Sequence, residues 1–169
     1  MMARWFRILK HRWLDERDSA RALPEAALRR IEARVAASET AHSGEIRICV
    51  EAGLPLSYLW HELQARDRAI TMFGKLRVWD SEHNNGVLIY LLLAEQAIEI
   101  VADRGLNQYV SPRQWQALIE PMRLAFGAGR YEAGLIEAVD AIDRLLLAHF
   151  ALAEAQANPD ELPNRPFLG

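Results

Sequence analysis

Glu45, Asp80, Glu82, Asn84, Asn85 and Asp103 fall in three short polar segments of this sequence. Carboxylate and amide oxygens of this kind are hard ligands suited to Ca²⁺ or Mg²⁺. His42 and His83 stand beside them, and imidazole would favour a softer ion such as Zn²⁺. A metal held by Asp103, Asp80, Glu45 and Asn84 could bind phosphate and activate water, the chemistry of a divalent-assisted phosphatase with Asp103 at its centre. A set that only binds would make a Ca²⁺ sensor whose cation orders loop 79–86. The competing expectation is plain turn chemistry. Asn84-Asn85-Gly86 tolerates positive φ, and Asp103-Arg104-Gly105 reads as a capped, exposed turn with a local ion pair. On residue types alone the turn reading leads, because no calcium-loop or paired-histidine spacing is present.

Strands must bring these segments together. Residues 45–51 alternate strictly, with Ile46, Ile48 and Val50 on one face, which predicts a half-buried strand at a sheet edge. Residues 87–93 are apolar on both faces, the pattern of a central covered strand. A tight turn at Ala94-Glu95-Gln96 leads into a third strand over 97–102. With the turn centred on Glu95, Val87 lies opposite Asp103, and Asn84, Asn85 and Gly86 come beside Asp103, Arg104 and Gly105. The first two strands flank a helix, so they are expected to be parallel with a right-handed crossover. The start of the first strand then reaches the same edge, and Glu45, Asn84, Asn85, Asp103 and Arg104 form a candidate ligand-binding edge.

The helices follow from punctuation. Pro24-Glu25 opens one that runs to Thr40 with Leu28, Ile31 and Val35 on a stripe. Ser57 is a plausible N-cap for a helix carrying Leu59, Leu63, Ile70 and Phe73, stopped by Gly74. Ser111-Pro112-Arg113-Gln114 is a capping box with Pro at the first helical position, and Pro121 should kink or split the helix it opens. Gly127 and Gly129 break the chain before a last helix from Tyr131, in which His149 is expected to pack in the core. The fold class is therefore α/β: a three-layer α/β/α sandwich around a small mixed sheet, in core order α-β-α-β-β-α-α. Residues 19–150 make one domain, and 151–169, with Asn158-Pro159 and Pro163-Asn164-Arg165-Pro166, read as an irregular tail.

Residues 1–18 differ from the rest. Arg4, Arg7, Lys10 and Arg12 interleave with aromatic and aliphatic residues, and Trp5, Ile8, Leu9 and Trp13 share one helical stripe. Such a segment either lies in a membrane interface or packs on the domain or a partner subunit. Asp15, Glu16 and Asp18 close it and would weaken attraction to anionic lipid.

The chain has 169 residues, is 51% hydrophobic and carries a net charge of −3, so nothing global argues for nucleic acid. The lone Cys49 sits in an apolar run and reads as a packed side chain. The longest apolar stretch, 86–94, is far short of the roughly 20 residues that span a bilayer. With no signal peptide evident, the expectation is a cytoplasmic protein that works peripherally at the inner face of a membrane.

His42-Ser-Gly-Glu-Ile-Arg-Ile, Asn84-Asn-Gly-Val-Leu-Ile-Tyr, Ile100-Val-Ala-Asp-Arg-Gly-Leu and Gly129-Arg-Tyr-Glu-Ala-Gly occur in the order found in the TPM-domain family, which the chain resembles over about two-thirds of its length. The resemblance implies an α/β/α sandwich and functions ranging from acid phosphatase and calcium binding to maintenance of membrane complexes. Where the family carries an acidic residue before Asn-Gly, this chain has Asn84. Where Gly-Leu-Glu commonly follows the third strand, it has Gly105-Leu106-Asn107; Asp103 matches an acidic position in part of the family. The resemblance thus implies a non-catalytic binding or scaffold module serving a protein partner or membrane complex. The alternative is a Ca²⁺- or Mg²⁺-dependent domain that uses Asp103.

Overall fold

In the computed structural model, residues 2–14, 16–153 and 161–169 are described. Asp15, Asn158 and Pro159 lie outside them, as do the side chains of Arg4 and Glu16. Strand β1 (Ile46–Glu51) pairs in parallel with β2 (Val87–Leu92), and β2 pairs antiparallel with β3 (Ala97–Ala102) through a 3-10 turn at Leu93–Glu95. The hairpin register places Val87 opposite Ala102, one residue from the expected pairing, and Asp103 N–H donates to Gly86 O at 2.9 Å. Gln96 closes the turn in the left-handed region at φ 50°.

Helices cover both faces. On one lie α3 (Glu25–Glu39), α7 (Pro112–Gly127) and α8 (Tyr131–Phe150), whose apolar stripes meet Ile46, Ile48, Val50, Val87, Ile89 and Leu91. The other face is covered by α5 (Ala65–Lys75), together with α1 (Met2–Arg12) and α4 (Leu56–Trp60). The short helices α2 (Glu16–Ala22) and α6 (Arg104–Asn107) are the remaining ones among the described residues. This is the mixed-sheet α/β architecture expected from the pattern.

Four local expectations are corrected. The helix placed over 57–73 is two helices, because Glu62 turns left-handed at φ 57° and Asp67 accepts the Gln64 N–H at 2.7 Å to start α5 afresh. Gly74 lies inside α5, and the reversal falls at Arg77, φ 57°. Helix α7 runs unbroken through Pro121. His149 is exposed and stacks on Tyr109, ring centroids 4.3 Å apart.

The largest difference concerns β1. It is an interior strand, buried on both faces, because Phe167–Leu168 form a fourth strand, β4, parallel to it, giving the order β3-β2-β1-β4. The end of the segment read as an irregular tail thus joins the sheet. Its preceding residues cover the polar side of β1: the Arg47 guanidinium donates to the carbonyls of Pro163 and Arg165, and Leu162 N–H donates to Glu45 Oε2 at 3.2 Å. Strict alternation normally marks one solvated face. Here the polar face is capped instead.

Candidate functional site

The edge at the start of β1 and β2 gathers the loops that carry most of the candidate residues. Asn84 adopts φ 51°, a left-handed conformation that asparagine tolerates better than longer or branched side chains. Its Oδ1 accepts from Arg104 Nε at 3.2 Å and Nη2 at 2.8 Å, while its carbonyl accepts Gly105 N–H at 2.8 Å. A Cβ at Gly105 would collide with the backbone of Asn84 and His83, and one at Gly86 with the carbonyl of Val78. The glycines of both motifs are thus packing requirements of two loops pressed together.

Asp103 is the N-cap of α6: its Oδ1 accepts Arg104 N–H at 2.7 Å. Its Oδ2 is buried and has no hydrogen-bond partner among the described residues. Asn85 is fully buried, donates through Nδ2 to Ser43 Oγ at 3.1 Å, and leaves Oδ1 equally unpartnered. Glu45 is buried beneath the chain end at Leu162. Asp80 belongs elsewhere, in an exposed turn ion-paired to Arg77 at 2.6 Å. So the structure joins Asn84, Asp103 and Arg104 in one bonded unit, sets Asn85 against Ser43, and gives Glu45 and Asp80 other partners.

Ca²⁺ takes six to eight oxygen ligands, carboxylates, carbonyls and waters among them. Among the described residues no group of three His, Cys, Asp or Glu side chains could hold a metal ion.

Sequence reading missed a second polar cluster at this edge. His42, fully buried, accepts Gly44 N–H at Nδ1 (3.2 Å), so the proton sits on Nε2 and faces Ser38 Oγ at 2.9 Å. Ser38 in turn donates to Asp143 Oδ1 at 2.5 Å, and Arg34 holds the other carboxylate oxygen at 3.0 Å. Burial holds the His42 imidazole below its ordinary pKa against the pull of Asp143. Burial acts to raise the Asp143 carboxyl, but bonds from Ser38 and Arg34 win and keep it below the usual range.

These residue types suggest a hydrolase triad, but their order forbids it. A nucleophilic serine gives its proton to histidine, whereas Ser38 gives its proton to aspartate. Ser38 is also buried. The cluster locks α3 to α8. Its signal in the sequence was the pair Arg34 and Ser38, one turn apart, facing Asp140 and Asp143.

The opposite end of the strands is also tied by charge. Glu95 accepts from Arg7 Nε at 2.7 Å and His11 Nε2 at 3.0 Å, and His11 Nδ1 accepts Leu54 N–H at 2.9 Å. Burial lowers the His11 pKa against the pull of Glu95. Of the N-terminal stripe, Ile8 packs into the domain while Trp5, Leu9 and Trp13 stay exposed, joined by Phe6. Cys49 is buried, and burial pushes its thiol pKa up, away from nucleophilic use.

The profile of the TPM domain matches residues 17–145. Among solved structures, the BA42 protein of the psychrophilic bacterium Bizionia argentinensis is 27% identical, with a TM-score of 0.75 over 87% of this chain and 95% of that one. The N-terminal domain of a P. gingivalis protein is 21% identical and shares the fold at a TM-score of 0.63, over 78% and 83% of the two chains. No curated protein matches the chain by sequence. No helix among the described residues is long and apolar enough to cross a membrane.

Proposed function

The chain belongs to the TPM-domain family, and from that premise we propose that it is a non-catalytic binding module serving a membrane-associated protein complex. One observation carries this reading. Most polar groups at the candidate edge take part in holding the fold: Asn84 on Arg104, one Asp103 oxygen on the α6 cap, Glu45 on the chain end, and Ser38 and His42 on Asp143. An acid, base or nucleophile has to reach a substrate proton or a reacting atom. These side chains are turned inward or toward each other. What the domain offers a partner is surface: the exposed aromatic face of α1 at one end, and the Asn84–Arg104 loops at the other.

The competing reading, a divalent-assisted phosphatase or Ca²⁺-binding domain, draws on the buried oxygens of Asn85 and Asp103 that have no partner among the described residues. Calorimetric titration with Ca²⁺, Mg²⁺ and Zn²⁺, with a phosphomonoester assay on the same preparation, separates the two. The binding-module reading expects no turnover and no micromolar cation binding. Turnover, or cation binding, that disappears in Asp103→Ala and on chelation would overturn it.

A further inference from the structure

Helix α1 is mounted with its polar side inward. Arg7, Ile8 and His11 face the domain, where Arg7 and His11 bond to Glu95 and Ile8 is 7% exposed. The opposite stripe carries Phe6, Leu9 and Trp13, which are 73%, 56% and 86% exposed, with Trp5 at its margin. Phe6, Leu9, Lys10, Trp13 and Leu14 line one open apolar depression. Beside α1, helix α4 leaves Leu56 and Trp60 exposed as well. A helix stabilised only by its own domain would turn those side chains inward, since their burial is favourable. Holding them outward with an ion pair and a histidine marks the face as meant for something else.

We propose that this face docks on an anionic lipid bilayer. Charge selects that occupant. Within α1 the sequence holds no acidic residue; Arg7 is paired to Glu95, which leaves Lys10 and Arg12, with Arg4 in sequence, as the positive charge on this side, ahead of the acidic Asp15, Glu16 and Asp18 that follow the helix. Lys10 and Arg12 are exposed next to the aromatic stripe. Tryptophan and phenylalanine flanked by lysine and arginine fit the boundary between headgroups and acyl chains. A second copy of the chain fits badly, because a two-fold contact would set Lys10 and Arg12 near their own equivalents. The inference deepens the binding-module reading by naming the surface it binds.

The test is co-sedimentation of the full chain with vesicles of phosphatidylcholine alone and of phosphatidylcholine with phosphatidylserine. Binding is expected only to the anionic vesicles, with tryptophan emission shifted to the blue. Phe6→Ser/Trp13→Ser should lower the partition at least tenfold, and Lys10→Gln/Arg12→Gln roughly thirtyfold, at about 1 kcal/mol per charge. All four side chains are exposed, so circular dichroism should show both variants folded. No sedimentation with anionic vesicles, or sedimentation untouched by either variant, would overturn the proposal. So would a concentration-dependent dimer that is lost in Phe6→Ser/Trp13→Ser, since that would give the face to a second copy. Phosphomonoester turnover by a chain that still sediments would sink the non-catalytic reading and leave this one standing.

Discussion

The two faces of β1 are buried equally and held by opposite means. Ile46, Ile48 and Val50 enter an apolar cluster with α3 and α8. One residue along, Glu45, Arg47 and Glu51 carry charge into positions just as closed to water. Glu51 takes the Arg68 guanidinium on both oxygens and the Tyr90 hydroxyl at 2.8 Å, and Arg68 lies over the Tyr58 ring at 5.3 Å. Apolar contacts are graded: losing a methylene costs in proportion to volume. A buried ion pair is closer to all-or-none, because each member is tolerable only while the other is present.

Mutations should expose that asymmetry. Arg68→Ala leaves Glu51 buried with the Tyr90 hydroxyl as its remaining donor, and should destabilise by about 3–5 kcal/mol in denaturant unfolding. The double variant Glu51→Leu/Arg68→Met should recover most of that loss. If the double falls as far as the single, the pair is no more than packing volume and the contrast between the faces collapses. On the apolar face, Ile48→Ala should cost about 3 kcal/mol and Ile48→Val about 1, a graded series. A cost for Ile48→Val equal to that for Ile48→Ala would argue that this face, too, behaves as all-or-none.

A pH scan sharpens the comparison. His42 and His11 are buried, and their folded pKa values lie below the ordinary 6.5. As pH falls through that value, the unfolded chain takes up protons that the folded chain refuses. Stability is therefore full above the ordinary imidazole range and declines as pH drops toward the lowered folded values. The slope approaches about 1.4 kcal/mol per pH unit for each histidine. His42→Gln should flatten it, measured by unfolding between pH 7 and 5. A slope unchanged in that variant would assign the effect to other groups. On the charged face, Tyr90→Phe removes one donor to Glu51 and should cost about 1–1.5 kcal/mol in denaturant unfolding, well below Arg68→Ala.

The fold was legible wherever a signal was local. Pro24-Glu25, the Ser111-Gln114 capping box and the unbroken apolar run of β2 each lie within a few residues of what they specify, and each element formed where expected. The hairpin register came within one residue because its turn is short. The setting of β1 was not legible. The residues that cover its polar face, Leu162, Pro163 and Arg165, are more than 110 positions away in a segment rich in proline. For the same reason Glu45 looked like a solvent-facing ligand, when its carboxylate holds the chain end. Part of the candidate edge was visible: Asn84, Asp103 and Arg104 do meet. Their mutual bonds depend on the left-handed turn at Asn84, which residue type permits without requiring.

Strand length sets a distance between the two ends of the domain. Six residues of β1 and β2 separate the Arg7–His11–Glu95 mount from the Asn84–Asp103–Arg104 loops, about 20 Å at strand rise. That is more than two Debye lengths at physiological ionic strength, so charge arriving at one end is screened from the other. Exposed charges gathered at one end therefore act on the other only weakly.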